Sequence, residues 1–144
     1  MATNREIFDK IAGSWYGFRH HTRFRDDLDE LAVRWKRGKL LNLGCGHGPD
    51  FIPFGGGFEL YGMDFSSQML RQAVKYAIKY EFSAHLAVAD LLHLPSKNGS
   101  FDWAIAVATY HHIRSTDDRQ NAFRELHRVV KAGSEVFKIG RAHV

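Results

Sequence analysis

Leu40-Leu41-Asn42-Leu43-Gly44-Cys45-Gly46-His47-Gly48 is an apolar run that breaks into alternating glycines. A short apolar run ending in turn residues reads as a buried strand, and glycines at its end let the backbone turn sharply and approach a ligand with no Cβ in the way. The expected role is a nucleoside-binding loop. Its spacing narrows the ligand. A dinucleotide fingerprint, G-x-G-x-x-G, needs a third glycine so that the next helix can pack close to the strand. Pro49 stands at that position, which disfavours a nicotinamide-dependent dehydrogenase.

Working outward, 144 residues with 44% hydrophobic and 13% aromatic content suffice for one domain with a real core. No stretch approaches the apolar length of a membrane span, and residues 1–6 lack an apolar signal core, so the expected compartment is the cytoplasm. The single cysteine, Cys45, excludes an intramolecular disulfide and supplies no cysteine cluster for zinc. It reads as a small packing residue of the loop. A net charge of +4 is compatible with a polyanionic partner and equally with an ordinary basic surface.

Upstream of the loop, Leu28, Leu31, Ala32 and Trp35 form one helical face, with Asp26 or Asp27 as N-cap and Gly38 as the stop. Before that, Ile7, Phe8, Ile11, Trp15 and Phe18 lie near helical spacing, and predict a short helix followed by a lid. Downstream, Pro49 suits a helix start, but Pro53 and Gly55-Gly56-Gly57 hold that helix to a turn or two. A second strand spans residues 59–63, and Ser66 or Ser67 caps a helix whose apolar face is Met69, Leu70, Ala73, Val74, Ala77 and Ile78. Strand three covers 84–89 and strand four 101–108. A helix then carries Ala122, Phe123, Leu126, Val129 and Val130 and stops near Gly133, before a last strand starting at Glu135. Strand and helix alternate throughout. The expected fold class is therefore α/β, a Rossmann-like parallel sheet covered by helices on both faces and incomplete at the C-terminus. Residues 138–144 show no fitting periodicity and are expected to be a non-native tail joined to a truncated reading frame.

Ligands of open α/β sheets sit at the carboxyl ends of the strands. Asp64 ends strand two, twenty positions after Gly44, where a carboxylate accepts hydrogen bonds from both ribose hydroxyls; the alternative is a helix-approach cap. Asp90 ends strand three and suits the exocyclic amine of adenine with Leu91 on the ring, or simply forms a turn. Asp102 opens strand four and reads as structural. Jointly, these placements point to an adenosine-type ligand.

On these residues the chain from Leu41 to about Phe137 resembles the class I S-adenosylmethionine-dependent methyltransferases. The matching motifs are Gly44-Cys45-Gly46-His47-Gly48, Gly62-Met63-Asp64-Phe65-Ser66, Ala89-Asp90-Leu91, Phe101-Asp102-Trp103-Ala104 and Leu126 to Gly133. Asn42 stands where many members have an acid, and is expected still to anchor the loop by hydrogen bonding. The resemblance implies S-adenosylmethionine as cofactor, bound by Asn42, Gly44, Cys45, Gly46, Asp64, Phe65, Ala89, Asp90, Leu91 and Val107. It also makes residues 1–137 a partial methyltransferase domain with 1–38 as an N-terminal helical lid.

Phe8-Asp9-Lys10-Ile11-Ala12 with Arg19, and Ala108 to Thr116 with Arg119, are similar to the methyltransferases that act on the carboxylate of 5-carboxymethyluridine at the tRNA wobble position. That narrower resemblance implies tRNA as substrate, a small zinc-binding activator protein as partner, and Arg19, Tyr110, His111 and His112 near the reacting group. The chemistry agrees. A carboxylate is already an anion at neutral pH, so attack on a sulfonium methyl needs alignment and no general base. Arg19, Arg23 and Arg25 with His20 and His21 suit phosphate or carboxylate, or form a solvated face beside the acids that follow. No metal site is expected, because the adjacent His111 and His112 diverge and no further ligand completes a set. Two other functions stay open: a small-molecule methyltransferase of the same fold, and a methyltransferase-like scaffold subunit without turnover.

Overall fold

A computed structural model describes Arg5, Glu6, Asp9, Thr22 and residues 24–107 and 113–139. Its elements are α1 (Arg25–Trp35), β1 (Gly38–Leu43), a 3-10 turn (Pro49–Phe54), β2 (Phe58–Asp64), α2 (Ser67–Tyr80), β3 (Ala84–Val88), β4 (Trp103–Val107), α3 (Thr116–Val129) and β5 (Val136–Ile139). The five strands form one sheet in the order β3-β2-β1-β4-β5, and every pairing is parallel. The chain steps from β1 outward to β3, then returns past β1 to lay β4 and β5 on the other side. β1 and β4 thus border the point where strand order reverses, the place where a crevice opens beyond the carboxyl ends.

Side chains of the sheet alternate between two cores, as period-two geometry requires. Leu40, Leu60 and Ile105 face Leu28, Leu31 and Trp35 of α1, Phe51 and Phe54 of the 3-10 turn, and Leu70 of α2. Leu41, Leu43, Met63, Ala104 and Ala106 face Ala122, Leu126 and Val129 of α3. Trp35 stacks on Trp103 at 5.0 Å between ring centroids. The Arg34 guanidinium meets Glu135 at 3.1 and 2.7 Å, joining α1 to the residue before β5.

Several local expectations are corrected. α1 begins without a side-chain cap, and Asp26 and Asp27 lie inside its first turn, where their charge still complements the helix dipole. Its stop is Lys36, which takes the left-handed conformation at φ +70°, and Gly38 instead opens β1. On α2 the buried stripe is Met69, Leu70, Ala73 and Tyr76, while Val74 and Ile78 are 52% and 75% exposed. At about 100° per residue, Met69, Ala73 and Tyr76 lie within about 60° of one another, whereas Val74 falls beside Leu70 at the margin of that stripe and Ile78 on the far side. β4 starts at Trp103, because the Asp102 side chain turns to accept from the Lys39 N–H at 2.8 Å and the Lys131 ammonium at 2.8 Å. α3 ends at Val129, and Val130 becomes extended to bridge Phe101. β5 runs to Ile139, so Lys138 and Ile139 pair with Ala106 and Val107, two residues past the expected boundary of ordered sheet. The remaining residues 140–144 of the expected tail lie outside the described residues. So do most positions of the expected N-terminal helix, of which Arg5, Glu6 and Asp9 are helical.

Candidate active site

β1 delivers its glycines at the sheet's carboxyl edge. Gly44, Gly46 and Gly48 adopt φ of +67°, +56° and +98°, a conformation that costs L side chains energy. Two consecutive donors, the Gly44 and Cys45 N–H groups, bond the Met63 carbonyl at 2.7 and 3.1 Å, so the loop folds across the end of β2. Gly62 makes that crossing possible: a Cβ there would lie 2.8 to 2.9 Å from Leu86, Cys45 and Phe51 side-chain atoms.

Asp64, at the last position of β2, is only 5% exposed. Its Oδ2 accepts from the Gly46 N–H at 2.9 Å and its Oδ1 from the Ser66 N–H at 2.9 Å. Burial raises its pKa above the ordinary carboxylate value, opposed by the N–H groups of Ser66, Gly46 and Phe65, with the charge of Asp9 adding to the rise. The cap of α2 is Ser66, whose Oγ accepts from the Met69 N–H at 3.1 Å. The same hydroxyl donates to Asp9 Oδ1, which also takes the Gln68 N–H at 3.4 Å.

The loop after β3 is fastened at both ends. The Ala89 N–H reaches the Asp64 carbonyl at 2.9 Å. Glu125 accepts from the Leu94 N–H at 2.8 Å, while Arg128 donates to the carbonyls of Leu94 and Ser96 at 3.0 and 2.8 Å. Between them Asp90 is exposed and folds its own loop, accepting from the Leu92 N–H at 2.9 Å. Its turn-forming alternative is thus realised, with Oδ2 left 3.7 Å from His93. Leu91 packs half-buried against the core. Val107 ends β4 half-buried, and Phe65 follows Asp64 at the same edge.

The structure therefore brings Asn42, Gly44, Cys45, Gly46, Asp64, Phe65, Ala89, Asp90, Leu91 and Val107 to the carboxyl ends of β1, β2, β3 and β4 or the loops that follow them. Asn42 is 1% exposed, and among the described residues its amide nitrogen has no hydrogen-bond partner, so any anchoring of the loop does not run through that nitrogen. Cys45 is buried with its thiol pKa pushed up, chiefly by that burial, which fits packing and not nucleophilic chemistry. Arg25 pairs with Asp29 one turn on at 2.9 Å, which favours the solvated-face alternative for that member of the basic cluster. Arg119 is engaged locally by the Ile113 carbonyl at 3.0 Å and Thr116 Oγ1 at 3.3 Å. Arg19, Tyr110, His111 and His112, together with His20, His21 and Arg23, lie outside the described residues. Sequence reading missed Asp9 as part of the site: its partner Ser66 is 57 residues away, and no local pattern signals such a contact.

Comparison with known proteins agrees with this geometry. Residues 40–133 match the family model of the methyltransferase domain. A protein of Encephalitozoon cuniculi described as a methyltransferase is 31% identical over 82% of this chain and 51% of its own. The 2-phytyl-1,4-naphtoquinone methyltransferase of Nostoc punctiforme is 29% identical over 91% of this chain and 61% of its own. The tRNA (carboxymethyluridine(34)-5-O)-methyltransferase of Xenopus tropicalis is 28% identical over 90% of this chain and 19% of its own. The chain thus spans about half to three fifths of the first two relatives and a fifth of the third. A solved structure from Methanococcus maripaludis, described as an S-adenosylmethionine-dependent methyltransferase, superposes with a TM-score of 0.73 at 18% identity, over 97% of this chain and 67% of that one. The chain belongs to the methyltransferase-domain family, with the Rossmann-like class I fold of the S-adenosylmethionine-dependent methyltransferases.

Proposed function

We propose that this chain forms the cofactor-binding part of an S-adenosylmethionine-dependent methyltransferase whose methyl acceptor is the carboxylate of a modified wobble uridine in tRNA. The observation that carries the cofactor reading is the Asp64 carboxylate, held between the Gly46 and Ser66 N–H groups. The Gly46, Ser66 and Phe65 N–H groups hold the carboxylate, and the acceptor capacity it keeps would serve the ribose hydroxyls. The buried Asn42 amide nitrogen, without a partner among the described residues, is a second sign of fit, since a buried donor costs about 1–3 kcal/mol until something accepts from it. When bound, S-adenosylmethionine supplies a methyl group on a cationic sulfur. The glycine loop leaves its backbone open to the ligand: a Cβ at Gly46 would meet no atom within 4 Å. Asp90 and Leu91 would hold the base, and the residues after Val107 would face the acceptor.

A carboxylate acceptor agrees with the identity to the tRNA methyltransferase, with the segments around Asp9 and Ser115, and with a net charge of +4. It needs no proton acceptor from the protein; Arg19, Tyr110, His111 and His112 would orient it. The reading carries with it tRNA and a small zinc-binding activator as partners, and a cytoplasmic location. A quinone or related small molecule is the second reading, favoured by the equally similar naphtoquinone methyltransferase. The test incubates the protein with labelled S-adenosylmethionine and bulk tRNA, with and without an activator protein, then treats the product with mild alkali. Label released from tRNA as an alkali-labile ester is the expected result. Alkali-stable label, or label only in a quinone fraction, would replace the tRNA reading with the second.

A further inference from the structure

We propose that Asp9 is a positioning residue for the cofactor site, fastening the N-terminal helical segment through the Ser66 hydroxyl to the residue that orients Asp64. This rests on the cofactor reading above. Ser66 is the hub: its N–H donates to Asp64 Oδ1, its Oγ accepts from the Met69 N–H, and its hydroxyl proton goes to Asp9 Oδ1. With one acceptor position taken by the helix, the hydroxyl's single proton has one destination, and Asp9 supplies it. Asp9 also lies within 3.4 Å of the Gln68 N–H, among the unpaired donors of the first turn of α2, where a carboxylate is favoured by both hydrogen bonding and the helix dipole.

The connection continues to the glycine loop, because the other oxygen of Asp64 holds the Gly46 N–H. If Asp9 is removed, the Ser66 hydroxyl and the Gln68 N–H lose their shared acceptor, the first turn of α2 is held less firmly, and the Ser66 N–H that orients Asp64 is less well fixed. Charge acts along the same line. Among the described residues, the titratable groups that interact with Asp64 are Asp9 from the N-terminal segment and the Cys45 thiol from the glycine loop. Asp9 makes ionisation of Asp64 harder, and so helps set the pH at which Asp64 stops serving as a double acceptor.

The experiment measures S-adenosylhomocysteine binding by calorimetry between about pH 4 and pH 8, for the full chain and its Asp9→Ala and Asp9→Asn variants, with thermal melting of each without ligand. Asp9→Ala is expected to weaken binding roughly tenfold, as loss of a charge-assisted hydrogen bond in the positioning chain should. Asp9→Asn keeps an oxygen acceptor for Ser66 and is expected to stay within about threefold of the native protein. In both variants the acid limb of binding shifts to lower pH, because the carboxylate that hindered Asp64 ionisation is gone. Asp9→Ala that binds natively with an unmoved acid limb overturns the proposal, as does weakened binding matched by a lower melting temperature with the limb in place. Absence of binding by the native protein overturns the cofactor reading and this proposal together; native binding with an indifferent Asp9 overturns this one alone.

Discussion

Asp64 is a buried carboxylate whose surroundings oppose its ionisation, and the proposed cofactor site would need it ionised. The Gly46, Ser66 and Phe65 N–H groups hold it, yet burial outweighs them and raises its pKa. The sign of the linkage follows: the folded state binds the proton more tightly than the unfolded one, so at this residue lowering the pH through the raised value favours folding. Ligand binding at the proposed site would run the other way, since a protonated oxygen no longer accepts from a hydroxyl. Asp64→Asn preserves shape but presents an amide nitrogen where a backbone N–H already points. We expect it to weaken S-adenosylmethionine binding by roughly 10- to 100-fold, and to abolish the acid limb of the binding profile. Calorimetric titration at several pH values checks both. A variant that binds natively would remove Asp64 from the site.

At the scale of elements, the strands β1, β2 and β4 converge on the glycine loop, and small features at their ends decide its shape. Gly62 is a packing necessity: an added methyl would press on Leu86, Cys45 and Phe51 together. Gly62→Ala should cost about 1–3 kcal/mol of stability in denaturant unfolding and weaken cofactor binding as well, since Cys45 lies between two of the loop glycines. At the opposite end of the sheet, Asp102 ties β1 to Lys131, two residues past α3, and Lys131 with the Lys39 N–H holds its pKa below the ordinary value. Its contribution is present above the unfolded pKa and is lost as pH falls through the lowered folded one. Asp102→Ala should therefore destabilise the protein by about 1–2 kcal/mol at pH 7, with native and variant melting curves converging below about pH 4. These elements differed in how legible they were. Strands β1 and β2 announced themselves through apolar runs ended by glycine or Asp64, because burial on both faces leaves a continuous signal. The face of α2 was misassigned at Val74 and Ile78, since apolar character alone cannot say which of two adjoining stripes meets the sheet. Lys36 as a left-handed stop was invisible, because a neighbouring glycine offered the cheaper solution on paper.

For the whole molecule, the order β3-β2-β1-β4-β5 gathers the cofactor candidates from positions 42 to 107 at one edge of one sheet, and that gathering was foreseeable from strand ends alone. The tertiary wiring was not: Asp9 to Ser66, Glu125 to Leu94 and Arg34 to Glu135 join residues 57, 31 and 101 apart, and no local pattern encodes such pairs. The same topology leaves β3 at an edge of the sheet, with Val88 51% exposed on it and Ile78 75% exposed on α2, the helix that leads into β3. Apolar side chains beside an open strand edge favour association between chains. Ile78 lies on the far side of its helix from the buried stripe, so replacing it should leave the core untouched. Lysine is also a good helix former and adds charge to the exposed flank of α2. Ile78→Lys is accordingly expected to change the melting temperature by no more than about 1–2 °C while raising the monomeric fraction seen by light scattering at high protein concentration. A fall of several degrees would mean that Ile78 packs against something in solution. Unchanged scattering with an unchanged melting temperature would show that this flank does not drive association.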